Sequence, residues 1–349
     1  MVSMTRARKT SVPDLDSDPF AERAAPAMRE SRMLLGCRVE FESNSPELLE
    51  LTHVAYAGLP PQALPGRAPQ LRVRLILTSG EHARRRDEPP HLQMLAGAGF
   101  LGGAVGASGF VVLSARQRAA LVVVPRSMLR FPYHIRYELI EFAVFTLATR
   151  VRGLVPLHAA CIGRGGSGVL LLGDSGAGKS TVSLLSLVAG LEFLSEDSVF
   201  VLPDTLAATG VANFVHVRAN SLRWLGRADD ARRIREAPVI RRRSGVRKFE
   251  VDLRQERYRV ASGPQRIRAL VFLCAESAGD APLLRPLSRR QMLPRLTAAQ
   301  AYAAGQPGWR RFCARLSGID AFELRRGIHP RQSVAAIDSL LPARPAARR

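Results

Sequence analysis

The chain has 349 residues, 46% of them hydrophobic and 23% charged, which excludes an intrinsically disordered protein and leaves room for one large domain or two ordinary ones. Its 51 basic residues outnumber 30 acidic ones for a net charge of +21, yet only Lys9, Lys179 and Lys248 are lysines, a skew that reads as compositional bias rather than a selected surface. Such charge favours anionic partners. However, no helix-turn-helix, zinc-finger spacing or aromatic RNA-binding strand accompanies it, so nucleic acid is the minority reading.

Residues 1–32 read as a disordered tail with no apolar stretch of signal-peptide type. A strand follows from Cys37, and a helix begins after Ser45-Pro46, with Leu48, Leu49, Leu51 and Val54 at helical spacing. Gln70 to Ser79 alternates apolar and charged residues, as a half-buried strand does. Residues 81–90 read as a loop, and two β-rich runs lie between Gly109 and Leu129. His134 to Leu154 has the pattern of an amphipathic helix ending near Gly153. Residues 33–132 are thus expected to form a small α+β domain, 133–154 a connecting helix, 155–341 a second domain and 342–349 a disordered tail. The longest apolar run, Leu139 to Thr149, is short and carries Glu141, so no membrane span is expected. Cys37, Cys161, Cys274 and Cys313 lie far apart with no CxxC, which argues against a zinc site or a disulfide framework and for a cytoplasmic protein.

The second domain opens with two short strands around a glycine-rich turn at Gly163 to Gly168. Val169 to Leu172 then runs into Gly173-Asp174-Ser175-Gly176-Ala177-Gly178-Lys179-Ser180, a complete GxxxxGK[ST] loop between a strand and a helix that begins at Thr181. Glycines let backbone amides curl around phosphate oxygens, and the helix offers its positive end. Lys179 reaches the β- and γ-phosphates of ATP, and Ser180 can place its hydroxyl on Mg²⁺. A strand at Leu191 to Leu194 is spaced to return beside the loop's own strand. Glu196 and Asp197 at its end can hold a metal, orient water or take a proton. The segment Arg232 to Leu253 is the most basic of the core and reads as a loop leading into a strand. Within it Lys248 offers a compact charge for a phosphate, a solvated loop residue being the plainer alternative. Arg218 and Arg223 are weaker anion contacts.

The run from Leu157-His158 through the GDSGAGKS loop to Leu194-Ser195-Glu196-Asp197 resembles the catalytic core of the HPr kinase/phosphorylase-related kinases. Weaker similarity extends through Val271 to Ala275, Pro286 to Leu293 and Phe322 to Leu341, and through Phe41 to Pro60 in the first domain. The resemblance implies an α/β fold: a mixed-sheet P-loop kinase core, like that of HPr kinase and phosphoenolpyruvate carboxykinase, with a smaller α+β domain before it. It implies an ATP- and Mg²⁺-dependent transfer of the γ-phosphate to a hydroxyl, a serine by preference, of a protein or peptide acceptor. His158 matches the family's strand histidine near the reactive centre. Glu196 and Asp197 match its acidic pair, one serving as base and the other standing nearer Mg²⁺. Ser180 and Asp197 are the metal candidates, but the resemblance does not say which acid is the base. Glu196 departs from the family's aspartate, and the longer C-terminal signature of the bifunctional enzymes is missing, which argues against phosphorylase activity and against HPr as acceptor. A lasso-peptide precursor kinase and a P-loop switch ATPase are the alternatives, and homo-oligomerisation is left open.

Overall fold

A computed structural model describes residues 28–79, 88–106, 108–174, 176–254 and 258–343. The first unit is built on a seven-stranded sheet: β1 (Met28–Leu34), β2 (Cys37–Ser43), β3 (Gln70–Thr78), β4 (Leu92–Gly97), β5 (Phe100–Val105), β6 (Gly109–Ser114) and β7 (Ala119–Pro125), in the order β1-β2-β3-β7-β6-β5-β4. β1 begins inside the segment expected to be a tail, and pairs with β2 along its whole length. Between β2 and β3 runs the helix Pro46–Tyr56. Ser45 caps it, its side chain accepting from the Leu48 amide at 3.3 Å, and Pro46 sits where no amide is needed. β3 buries alternate residues, as its sequence predicts.

A continuous helical stretch follows. Pro132–His134 is α-helical, Ile135–Ile140 winds as a π-helix, and Glu141–Arg152 returns to α and ends at Gly153, whose φ of +64° suits glycine. Ile135, Leu139, Ala143 and Leu147 are buried in the same core as Phe41, Leu71 and Val122, so this helix covers the first sheet.

The second unit has a nine-stranded mixed sheet. Its strands are β8 (Val155–Leu157), β9 (Ala160–Arg164), β10 (Ser167–Leu172), β11 (Glu192–Ser195), β12 (Val199–Leu202), β13 (Ala207–Thr209), β17 (Gln265–Ser277), β18 (Leu284–Pro286) and β19 (Asp320–Arg326). A three-stranded sheet of β14 (Phe214–Val217), β15 (Val239–Arg241) and β16 (Arg247–Asp252) stands beside it. β10 is buried at every residue, parallel to β17 and antiparallel to β9. This is the mixed α/β architecture expected. One face of the large sheet packs on the helices Lys179–Val188 and Pro330–Asp338, the other on the helices between Arg289 and Leu316.

Three expectations are corrected. β11 pairs with β9 rather than lying beside β10, so the chain crosses over the β9 hairpin arm before reaching the acidic pair. The basic segment from Arg232 does lead into a strand, β16, which holds Lys248, but what precedes it is not a loop alone: it completes the helix Ala228–Glu236 and adds β15, which pairs with β16. The loop helix begins at Lys179, two residues before Thr181.

The units are stitched by polar contacts as well as by packing. Arg136 donates to both oxygens of Glu250 at 2.6 and 2.7 Å, and Tyr137 adds a hydrogen bond at 2.9 Å. Asn213 donates to the Ala55 carbonyl at 2.8 Å. Among the described residues no helix is long and apolar enough to cross a membrane.

Candidate functional site

The glycine-rich loop leaves the end of β10 and closes on the helix Lys179–Val188. Gly173 has φ +144°, and a Cβ there would sit 3.1 Å from the Ala177 Cβ and 3.2 Å from the Leu273 carbonyl oxygen, so both conformation and space call for glycine. The loop turns through an Ala177 amide bond to the Asp174 carbonyl at 3.1 Å. Ser175 lies outside the described residues. Lys179 is buried, and its Nζ donates to the Gly173 carbonyl at 2.5 Å. Burial lowers its pKa, and the charges of Asp197, Asp174 and Glu196 offset part of that.

A cleft of about 160 Å³ opens over this loop. Asp174, Gly176, Gly178, Lys179, Ser180 and Thr181 line it from the loop side. Across from them stand His158, Asp197 and Lys248, so the cleft gathers most of the residues singled out in the sequence. Lys248 is 7% exposed, which settles against a solvated loop position. Burial lowers its pKa while Glu196 works the other way. Arg218 and Arg242 complete the cationic wall. Sequence reasoning missed Arg242. Its signal was the basic run itself, in which nothing distinguishes one arginine from the next.

Asp197 accepts a hydrogen bond from Arg242 at 2.6 Å. Burial would raise its pKa, but the charge and hydrogen bond of Arg242 hold it below the usual aspartate value. His158 lies at a bend between β8 and β9 rather than within a strand. Its Nδ1 is 3.1 Å from the Asp197 carbonyl oxygen, and Gln300 clamps its backbone through bonds of 2.7 and 3.0 Å. Glu196 is 4% exposed. Its Oε2 accepts from the His216 amide at 2.9 Å, and its Oε1 is buried with no hydrogen-bond partner among the described residues.

Two further cavities flank the cleft. One, of about 310 Å³, adjoins it through Gly176, Gly178, Thr181 and Ser221, and its wall sets Trp224, Leu273 and Ile328 beside Arg325 and Arg326. Arg223, also in its wall, stacks 4.7 Å over the Trp224 ring. The other, of about 480 Å³, shares His158, Asp197 and Arg242 with the cleft, contains Glu196, and is closed on one side by the helical stretch of the first unit.

The donor set fits a nucleoside triphosphate with its Mg²⁺. Positive-φ glycines, Lys179 and Lys248 suit phosphate oxygens, and the Ser180 hydroxyl with the Asp197 carboxylate suits a hard cation. Elsewhere Cys274, Glu276 and Glu323 bring ligand atoms within 4.8 Å of one another, but Glu323 is already paired with Arg285 and Arg295 at 3.0 and 2.6 Å.

No protein-family model and no curated protein matches the chain. Among solved structures, the HPr(Ser) kinase/phosphatase from Coxiella burnetii is similar over 53% of this chain and 87% of its own, at 12% identity and a TM-score of 0.28.

Proposed function

We propose that this protein is an ATP-dependent kinase that transfers the γ-phosphate to a hydroxyl acceptor. The observation that carries the reading is the position of the acidic pair: Asp197 lines both the phosphate cleft and the larger cavity, and Glu196, in the larger cavity's wall, has an oxygen with no partner among the described residues. A hydrolytic switch needs room for water beside the phosphates. A second cavity of about 480 Å³ opening onto the same acid is better suited to an acceptor.

In this reading the nucleotide base occupies the cavity beside Trp224, and the loop amides with Lys179 hold the phosphates. Ser180 and Asp197 would hold Mg²⁺, which when bound neutralises charge on the transferring group. Glu196 takes the acceptor's proton as the new oxygen–phosphorus bond forms and the bond to the β-phosphate oxygen breaks. Lys248 and Arg218 face the charge on the transferred group. His158 positions Asp197 through its backbone.

The test is transfer of labelled γ-phosphate from ATP to a panel of hydroxylated small molecules and serine-containing peptides. A labelled acceptor, lost in Lys179→Ala, is the expected result. Release of inorganic phosphate with every acceptor, and no labelled product, would overturn the reading.

A further inference from the structure

The larger cavity differs in character from everything around it. In a protein of net charge +21, its wall carries Glu141, Glu196 and Asp197 against a single arginine, Arg242, which Asp197 already pairs. Glu196 feels the charge of Lys248 from outside the wall, and Glu141 has no positive side chain in the wall to pair it. Both are more than nine-tenths buried, and Glu196 Oε1 has no partner among the described residues. His158 and His216 also face the cavity, but His216 Nε2 lies 3.4 Å from Glu250, which Arg136 neutralises further.

Much of the rest of the wall is aromatic, with Thr146, Ser195, Ser198 and Asn213 among the others. Tyr133, Tyr137, Phe142, Phe145, Phe200 and Phe214 line it, and Tyr302, 63% exposed, stands on its solvent side. Arg136 already lies 4.8 Å over the Tyr137 and Phe214 rings, so the surface left for a ligand cation is Tyr133, Phe142, Phe145 and Phe200 with the Glu141 carboxyl among them. Burial raises the Glu141 pKa to about 8, against the pull of Arg136, so a bound cation would also stabilise its ionised form.

We infer that the cavity is the acceptor site and that the acceptor is a small alcohol bearing an ammonium group, held by the aromatic wall and Glu141 with its hydroxyl toward Glu196 and Asp197. This rests on the kinase reading and names its substrate class. The reaction balances as a simple transfer. The alcohol oxygen bonds to the γ-phosphorus, the bridging bond to the β-phosphate breaks with its electron pair leaving on ADP, and the alcohol's proton passes to Glu196. A volume of about 480 Å³ suits a whole small molecule.

Choline, ethanolamine, the neutral choline isostere neohexanol, glycolate and a serine-containing peptide serve as probes with the full chain. Labelled phosphate transfer is measured with ATP, and choline binding is measured by calorimetry with Mg²⁺ and ADP. The cationic alcohols should exceed neohexanol in kcat/KM by about tenfold, and Glu141→Gln should raise the KM for choline by about tenfold with a smaller change in kcat. If Glu141→Gln does not fold, Tyr302→Ala at the exposed rim should raise the same KM. Neohexanol or glycolate matching choline, or no binding heat from choline, overturns the inference. Transfer to the peptide alone overturns it while leaving the kinase reading intact. Hydrolysis with no labelled acceptor removes the kinase reading, and the calorimetry still decides whether the cavity binds a cation.

Discussion

The phosphate cleft and the cavity beside it share His158, Asp197 and Arg242 but are made in opposite ways. The cleft is cationic, with Lys179, Arg218, Arg242 and Lys248 against Asp174 and Asp197, and its working part is one loop and the first turn of one helix. The cavity is acidic and aromatic, and its wall comes from both units. In the kinase reading, a loop that holds phosphate through its own backbone needs little from the rest of the chain. A cavity that selects an acceptor depends on how distant segments pack.

That contrast can be broken most sharply at Lys179. Lys179→Ala should reduce phosphate transfer by about a thousandfold, while the melting temperature by circular dichroism stays close to wild type. Retained transfer would mean that the loop is not the phosphate site. Glu196→Gln should lower transfer by about a hundredfold with normal nucleotide affinity, whereas Asp197→Asn should show its main loss in Mg²⁺–ATP affinity, read by calorimetry. Equal behaviour of the two variants would dissolve the division of roles.

Glu250→Gln tests the contact between units. It leaves the buried Arg136 without its counter-charge, and about 3–5 kcal/mol of stability should be lost, seen in denaturant unfolding. Burial works against ionisation of Glu250, but His216 and Arg136 hold its pKa at about 2. The folded value is below the unfolded one, so this stabilisation is complete above the ordinary glutamate value and disappears as pH falls toward 2. Glu141 has the opposite sign. With its folded pKa raised to about 8, its contribution is present below the ordinary value and lost as pH rises through 8. Glu141→Gln should therefore gain in melting temperature relative to wild type more at pH 9 than at pH 5, by an amount on the order of a few degrees. A pH-independent difference would mean that the carboxyl is not buried as described.

The loop was legible because eight consecutive residues carry its pattern, and the strand before it ends in the apolar run Val169 to Leu172. The helix from Pro46 was legible from its cap and spacing. The β4–β5 hairpin was not, because Gly97, Gly99, Gly102 and Gly103 erase the alternation by which a strand is read, and the backbone of β6 lies too close to Gly102 for a side chain. Lys248 stood out as a rare lysine, but its strand and the role of Arg242 could not be read, since a hairpin within an arginine-rich run has no local marker. The aromatic wall is a tertiary product: Tyr133, Phe200 and Phe214 meet only after the two units pack.

The π-helical turn Ile135–Ile140 sets the phase of the helix that carries this wall. Tyr133, Tyr137, Glu141, Phe145 and Thr149 all face the cavity at intervals of four residues. In an uninterrupted α-helix each such interval overshoots a full turn by about 40°, so the first and last of these positions would lie on opposite sides. The wider π turn winds some of that drift back, which keeps the two tyrosines in register with the residues below them. The length of this segment, rather than the identity of any one side chain, thus aligns the row.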